Sequence, residues 1–134
     1  MNVKDLDGNY YNLNLVGNIV KSSSEHKSSY HTSARTLIKS IYPTMQILEE
    51  VPIHIRKTEI LYLDFYIPLI KKCIEVHGEQ HYKFVAHYHA NKFAFLKAQK
   101  RDREKQQWCE LNGIQHIELP YYENTSEWTK RINE

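Results

Sequence analysis

Acidic and imidazole side chains recur at every second position in one short segment of this chain. The segment CIEVHGEQHY, residues 73–82, carries Glu75 and His77 and then His81, and the preceding segment LYLDFYIP contains Asp64. Carboxylates bind hard cations such as Mg²⁺, and an imidazole with a pKa of about 6.5 exchanges protons at neutral pH. Residues of these types close together are typical of metal-assisted hydrolysis.

The lengths of two predicted strands and their loop place these side chains on one face. The segments EILYLDFYI and KCIEVHG have strand composition, and PLIK, Pro68 to Lys71, is a four-residue hairpin loop between them. Counting back from the loop sets Asp64 opposite Glu75, and alternation adds His77 to their face. Like charges directly opposite in a sheet destabilise it by about 0.2–1 kcal/mol. We therefore predict that Asp64 and Glu75 hold Mg²⁺ or Mn²⁺.

Other interpretations of these residues stay open. The two carboxylates would also be accommodated on a solvated face beside basic residues of the neighbouring strands and turns: Lys71, Lys72 and Arg56. His77 and His81 have a separation seen in zinc sites, but Gly78 disfavours a helix between them. HGEQH also differs from the HExxH order in which the glutamate serves as base.

One helix and three strands are predicted to surround the acidic residues. Apolar residues recur at helical spacing from Tyr30 to Ile41, until Pro43 ends the pattern. The extended segments QILEEVPIHI, EILYLDFYI and KCIEVHG follow, separated by RKTE and PLIK. They predict an antiparallel meander.

A second helix, a further strand and a short closing helix are predicted next. Good helix formers run from about Asn91 to Asn112, and Gly113 suits a left-handed C-terminal cap. GIQHIELP alternates as a strand does, and SEWTKRIN forms a helix that begins at Thr125 or Ser126. The order α-β-β-β-α-β-α predicts an α/β fold of the α+β type with a mixed sheet.

The first 29 residues differ in composition from the rest of the chain. They are rich in Asn, Ser and Gly, Asp7-Gly8 suits a hairpin turn, and SSSEHKSS has the composition of a linker. We predict an arm or hairpin plus linker over residues 1–29 and a single domain over residues 30–134.

Bulk composition limits the class of protein. The 134 residues are 41% hydrophobic and 25% charged, and no apolar run approaches the length of about 18 residues that a membrane span requires. We expect a soluble, cytoplasmic protein without a secretory signal or a membrane partner. Cys73 and Cys109 lie far apart without a CxxC pattern, so we expect buried thiols.

Positive charge is concentrated in one stretch, although the net charge is only +2. From Lys83 to Lys105 the chain carries seven basic residues and two acidic ones. Such a stretch is either a solvated helix face or a surface that contacts phosphates. The residues predicted to contact nucleic acid are Lys83, Lys92, Lys97, Gln99, Lys100 and Arg101.

Aromatic side chains interleave with this basic stretch. Four of them either pack in the core or stack on bases: Tyr82, Phe84, Tyr88 and Phe93. Trp108 and Leu111 recur with Phe93 near helical spacing, which predicts that they pack against the sheet.

Two segments together resemble a known superfamily. LYLDFYIPLIKKCIEVHGEQHY, followed by QKRDREKQQWCELNGIQHIELPY, is similar to the PD-(D/E)XK nucleases, and more narrowly to very-short-patch-repair (Vsr) and related phage-encoded, homing-type endonucleases. The likeness spans most of the predicted core, from Tyr30 to Tyr121. It implies a restriction-endonuclease-like αβββαβ core, Mg²⁺- or Mn²⁺-dependent hydrolysis of DNA phosphodiester bonds, and a phage or mobile-element origin with activity in the host cytosol.

The resemblance assigns roles to the acidic and imidazole residues. Asp64 matches the family's strand acid, and Glu75 matches the acid two residues before a lysine. His77 stands in place of that lysine, so His77 and His81 become the candidates for activating water or protonating the leaving group.

The resemblance extends less completely to the two helices. Asp102 matches a supporting position of this branch, and Gln99 lies one turn earlier on the same helix face. The family's first-helix glutamate has no match: His31 stands there, with Glu25 upstream.

Two other functions fit the same residues. A catalytically inactive nuclease-like module for DNA binding or protein interaction is motivated by the missing lysine and by His31. An RNA-directed nuclease would use the same phosphate chemistry. DNA is the expected partner, and a homodimer is possible.

Overall fold

Two short strands form a hairpin at the start of the chain. The structure is a computed structural model and describes residues 1–13 and 29–134. Strands β1 (Asn2–Lys4) and β2 (Tyr10–Asn12) pair antiparallel, and Gly8 turns between them at φ +90°, a conformation that favours glycine. The predicted hairpin is therefore confirmed, but its loop covers five residues, 5–9, and is longer than the two-residue turn that Asp7-Gly8 predicts. Glu25, and the predicted linker before Ser29, lie outside the described residues.

A buried carboxylate closes this hairpin. Asp5 Oδ1 accepts hydrogen bonds from the backbone N–H groups of Asp7 and Asn9, both at 2.9 Å. Its Oδ2 accepts from Asn9 Nδ2 at 3.0 Å and from the Tyr11 hydroxyl at 2.9 Å. Burial raises the pKa of Asp5, but the hydrogen bonds outweigh burial and bring it to about 2.

The main sheet has four strands within the described residues. They are β3 (Leu48–Arg56), β4 (Glu59–Ile67), β5 (Lys72–His77) and β6 (Gln115–Pro120), in the spatial order β3-β4-β5-β6. The first three pair antiparallel, which confirms the predicted meander, and β6 lies parallel to β5. The fold is therefore mixed α/β, of the predicted α+β type.

Three helices occur within the described residues: α1 (Ser29–Ile41), α2 (Lys92–Leu111) and α3 (Thr125–Ile132). Gly113 follows α2 at φ +69°, as predicted for a left-handed cap. The closing helix begins at Thr125, and Asn124 caps it by accepting the Glu127 N–H at 2.9 Å. In the described part of the chain, no helix is both long and apolar enough to cross a membrane.

The helices cover opposite faces of the sheet. Alternation along β5 directs Cys73 toward α2, where Trp108 and Cys109 pack, and directs Ile74 toward α1 and α3. Both cysteines are free and buried, as predicted.

The packing expected for α2 is confirmed only at its centre. Trp108 is fully buried, whereas Phe93 is 72% exposed and Leu111 is 50% exposed, so that prediction is wrong for both helix ends. At the C-terminal end of α2 the buried face is taken by Trp108 and Cys109, and Asn112 is hydrogen-bonded to Lys4, so Leu111 lies on the solvent side of the same turn.

Candidate active site

Strands β4 and β5 separate where they carry the acid pair, Asp64 and Glu75. Backbone pairing sets Ile67 opposite Lys72, as the loop length predicts. Beyond Phe65, side-chain hydrogen bonds replace backbone pairing between the two strands. Glu75 Oε2 accepts the Asp64 N–H at 3.1 Å, and Asp64 Oδ2 accepts the Val76 N–H at 2.9 Å. The predicted juxtaposition of Asp64 and Glu75 is confirmed, and each carboxylate is fixed through one oxygen.

Burial and mutual repulsion disfavour two negative charges in the acid pair. Glu75 is 1% exposed. Burial raises the pKa of Asp64 to about 7, the Glu75 charge contributes to this rise, and the Lys105 charge opposes it. Near neutrality Asp64 therefore readily takes a proton, or a cation in its place.

Lys105 of α2 supplies the positive charge nearest to the acid pair. Its Nζ lies 3.2 Å from Glu75 Oε1, and its side chain is 16% exposed. Burial lowers the pKa of Lys105, but the charges of Glu75 and Asp64 raise it above the ordinary value. Lys105 was predicted only as part of the basic stretch, because the α2 face that meets the sheet is set by packing.

The basic partners considered for a solvated acid pair are engaged elsewhere. Lys72 is buried, and its Nζ donates to the Tyr42 hydroxyl at 3.0 Å. Arg56 forms ion pairs with Glu104 of α2 and with Glu59 at the start of β4. Lys71 ends the loop and is exposed. The interpretation that Lys72 or Arg56 compensates the acid pair is therefore wrong.

A third carboxylate reaches the site from β3. Glu50 has φ +55°, a left-handed conformation that costs a non-glycine residue about 1–3 kcal/mol, and it interrupts the β3–β4 pairing opposite Asp64. Ligand atoms of Glu50, Asp64 and His31 all lie within 4.8 Å of one another. Glu50 was not predicted, because alternation along a strand does not reveal a backbone reversal.

His31 takes the first-helix position that the resemblance left without an acid. It is buried on α1, its ring stacks on Phe65 with centroids 4.5 Å apart, and its Nε2 contacts Glu49. Arg35 Nη2 binds the same carboxylate at 2.7 Å. Burial raises the pKa of Glu49, but Arg35 and His31 lower it below the ordinary value. His31 is thus positioned at the acid pair by a charged network.

The histidine pair, His77 and His81, lies beside the acid pair. His77 Nδ1 is 2.9 Å from Glu118 Oε1, and His81 Nδ1 is 2.8 Å from Asp102 Oδ2. The two rings are parallel, with centroids 4.2 Å apart and an interplanar angle of 1°. Asp102, which the resemblance assigns to a supporting position, is the partner of His81, and each imidazole has its own carboxylate.

His77 shares the face of β5 that carries Glu75, as predicted, but its side chain contacts Glu118 rather than either member of the acid pair. His77 binds Glu118, because the parallel strand β6 brings that residue to the same level as Glu75. Burial lowers the pKa of His77, but Glu118 and Asp102 raise it above the ordinary value. The hydrogen bond from His77 lowers the pKa of Glu118 to about 2, and the Tyr82 hydroxyl donates to Glu118 at 2.8 Å.

Two adjoining clefts open on these groups and share His81 and Asp102. The acid cleft is about 320 Å³ and is lined by Glu50, Leu61, Tyr62, Asp64, His81, Ala98, Arg101, Asp102 and Lys105. The histidine cleft is about 190 Å³ and is lined by His77, His81, Tyr82, Gln99, Asp102, Arg103 and Glu118. The predicted residues Gln99 and Arg101 therefore both reach the site.

The donors of the acid cleft fit a hard divalent cation. Asp64 and Glu50 line the cleft and offer carboxylate oxygens, whereas Glu75 does not line it and its Oε1 lies 3.2 Å from Lys105 Nζ. Oxygen donors of this type suit Mg²⁺ or Mn²⁺. Ligand atoms of His77, His81 and Asp102 also lie within 4.8 Å of one another, but both Nδ1 atoms already contact carboxylates.

Basic and aromatic side chains continue the site onto the surface. The basic residues predicted to contact nucleic acid are exposed: Lys83, Lys92, Lys97, Lys100 and Arg101. Among the interleaved aromatics, Phe93 and Tyr88 are 72% and 63% exposed, Phe84 is 38% exposed, and Tyr82 is half-buried. The core interpretation is therefore wrong for Phe84, Tyr88 and Phe93.

Relatives of this chain occur among viruses. It is 46% identical over 61 residues to uncharacterized protein 307L of Invertebrate iridescent virus 6, and 41% identical over 61 residues to uncharacterized protein 033L of Invertebrate iridescent virus 3. It is 40% identical over 62 residues to uncharacterized protein 094L of Frog virus 3. Each match covers 46% of this chain and between 31% and 40% of the relative. No family model matches the chain, and no solved structure matches it significantly.

Proposed function

We propose that this protein is a metal-dependent endonuclease that hydrolyses DNA phosphodiester bonds, in the PD-(D/E)XK superfamily and its Vsr-like branch. The observation that carries the proposal is the acid pair, in which two separating strands hold Asp64 and Glu75 through one oxygen each, beside the ammonium group of Lys105. The order α1-β3-β4-β5-α2-β6 is the order of a restriction-endonuclease-like core.

Asp64 and Glu75 would hold Mg²⁺ or Mn²⁺, with Glu50 as a further oxygen donor. The cation supplies polarisation of the scissile phosphate and a more acidic attacking water. The chain contributes rigidity, because the backbone N–H groups of Asp64 and Val76 keep the two carboxylates in place before substrate arrives.

Lys105 would do the work of the lysine that is absent at position 77. Its ammonium group lies 3.2 Å from Glu75 Oε1 and borders the acid cleft. A positive charge at this place stabilises negative charge that develops on the phosphate oxygens. A helix therefore supplies the charge that the strand lacks.

The histidine pair would carry out proton transfer. His81 and Asp102 line both clefts, so the imidazole can serve a group bound in either one. A carboxylate at Nδ1 orients an imidazole for proton transfer at its other nitrogen. We assign His81 to protonation of the leaving oxygen and His77 to support of His81 through the stacked rings.

The exposed basic residues of α2 would position the duplex. Lys97, Lys100 and Arg101 are exposed, and Arg101 also lines the acid cleft. Phosphate contacts of this kind steer and bind DNA without reading its sequence. The exposed rings of Tyr88 and Phe93 are available to stack on bases.

Cleavage of supercoiled plasmid tests the proposal. We expect nicking or linearisation with Mg²⁺ or Mn²⁺, none with EDTA, and a loss of roughly 100-fold or more in Glu75→Gln, because a metal-bound carboxylate supplies several kcal/mol to catalysis. Glu110→Gln is the matched control, since Glu110 is exposed on α2. Cleavage that survives both EDTA and Glu75→Gln would overturn the proposed site.

A second candidate is a nuclease-like module that binds DNA without cutting it. Lys105 favours this reading, because it partly neutralises the acid pair without any cation. Salt-sensitive binding with no cleavage of several plasmids would select the module, and cleavage of an RNA version of one substrate would select an RNA-directed nuclease. The viral relatives support a viral origin, and we place the activity in the cytoplasm of the host.

A further inference from the structure

A second group of metal-ligating side chains is buried beside Glu75. Cys73 and His116 are register partners in the parallel pair of β5 and β6, so their side chains leave the sheet on the same face, and Glu75 follows two residues after Cys73. Ligand atoms of Cys73, Glu75 and His116 all lie within 4.8 Å of one another. Neither thiol chemistry nor His116 has a part in the proposed nuclease activity.

One polar atom in this group, His116 Nε2, is buried without a hydrogen bond from any described residue. It lies 4.0 Å from Glu75 Oε1, which has the Lys105 ammonium group at 3.2 Å, and the side chains of His116 and Glu75 are 8% and 1% exposed. Leaving a buried polar group unpaired is unfavourable. An unpaired imidazole nitrogen beside a buried carboxylate oxygen indicates a cation that engages both.

We propose that Cys73, Glu75 and His116 form a buried site for a borderline-soft divalent cation of the Zn²⁺ class. Sulfur, imidazole nitrogen and carboxylate oxygen together select Zn²⁺ over Mg²⁺. Neighbouring donors around a tetrahedral zinc lie about 3.3–3.8 Å apart, so the Glu75 and His116 atoms need to approach by only about half an ångström. As the sulfur–metal bond forms, the Cys73 thiol releases its proton to solvent.

Lys105 and the bound cation compete for the same oxygen. Lys105 Nζ lies 3.2 Å from Glu75 Oε1 and repels a divalent cation placed there. Lys105→Met should therefore tighten binding at this site, while Lys100→Met, an exposed change one helical turn and a little more away, should leave binding unchanged.

Titration of the full chain with Co²⁺ tests the site independently of nuclease activity. Cobalt reports a bound thiolate by a charge-transfer band in the near ultraviolet, and we expect this band to saturate at one Co²⁺ and to disappear when Zn²⁺ displaces it. Cys73→Ser should abolish the band, and His116→Gln should weaken binding by roughly tenfold or more, because even outer-shell changes cost that much. Cys109→Ser, the matched buried thiol on α2, should keep the band.

Opposite results overturn the site. No thiolate band in the wild type, or loss of the band in Cys109→Ser, excludes the proposed donors. If Cys73→Ser fails to fold, as judged by circular dichroism in EDTA, then calorimetry of His116→Gln with Zn²⁺ decides, and unchanged affinity rejects the site. The cobalt band and the zinc affinity do not depend on DNA cleavage, so both can be measured even if the protein cuts no plasmid.

Discussion

The acid pair and the histidine pair are neighbours with opposite electrostatic character. At the acid pair, burial raises the pKa of Asp64 to about 7, and Glu75 Oε1 lies 3.2 Å from Lys105 Nζ. At the histidine pair, each ring faces its own carboxylate, and the hydrogen bond from His77 lowers the pKa of Glu118 to about 2. The acid pair has two carboxylates beside the one ammonium group of Lys105, whereas each imidazole of the histidine pair has its own carboxylate.

This difference in charge compensation indicates which of the two regions would gain more stability from a bound cation. A buried charge without full compensation gains most from a cation, because the cation replaces solvation that burial removed. A balanced imidazole–carboxylate pair gains little from a cation but is already oriented for proton transfer. Under the proposed function, one face of the sheet carries the cation-binding residues beside the residues that transfer protons.

Removing Lys105 should have the largest effect on stability. In EDTA, Lys105→Met should lower the free energy of unfolding by about 3 kcal/mol, because it leaves Glu75 buried without its counter-charge. Urea denaturation measures the change, and added Mg²⁺ should recover more stability in the variant than in the wild type. Lys100→Met, on the exposed side of α2, should stay within about 0.5 kcal/mol. Equal losses in the two variants would contradict the role of Lys105 as the counter-charge of Glu75.

Removing the charge of Glu118 should have a smaller effect. Glu118→Gln weakens the hydrogen bonds to His77 and Tyr82 and should cost about 1 kcal/mol in urea denaturation. Mg²⁺ should not restore this loss, because Glu118 does not line the acid cleft. Glu110→Gln is the exposed control. A loss as large as that of Lys105→Met, or recovery with Mg²⁺, would remove the distinction between the two regions.

Asp5 of the N-terminal hairpin is also a carboxylate satisfied by hydrogen bonds, and its protonation in acid should destabilise the hairpin. Its pKa in the folded hairpin is about 2, below the ordinary 3.8, so its stabilisation is complete above pH 3.8 and is lost as the pH falls toward 2. Amide exchange of Val3 and Tyr11 should accelerate across that window. Asp5→Asn should remove this pH dependence, and persistence of the transition in the variant would assign it to another group.

The smallest effect concerns DNA binding by the exposed face of α2. Lys100→Gln should reduce the slope of log affinity against log salt by about 0.9, the contribution of one phosphate contact, with less than a tenfold loss of affinity. Fluorescence anisotropy in EDTA measures both. Lys39→Gln, exposed in the last turn of α1, is the matched control and should behave as the wild type. An identical slope in the two variants would exclude Lys100 from the interface.

Local patterns in the chain were sufficient for the strands that carry the acid pair. The four-residue loop PLIK and the two-residue strand period together place Asp64 opposite Glu75, because a hairpin register depends only on residues near the loop. The same local reasoning predicts the ends of α1 and α2, where Pro43 and Gly113 act on the backbone directly.

Long-range packing decided which groups join that pair. Lys105 reaches Glu75 only because α2 lies across the sheet, and His77 meets Glu118 only because β6 returns parallel to β5 after that helix. The left-handed backbone conformation of Glu50, which interrupts the pairing of β3 with β4, is likewise a feature of the folded sheet. None of these contacts follows from spacing along the chain, because a crossover between parallel strands leaves the register and the helix face to the packing of the whole core.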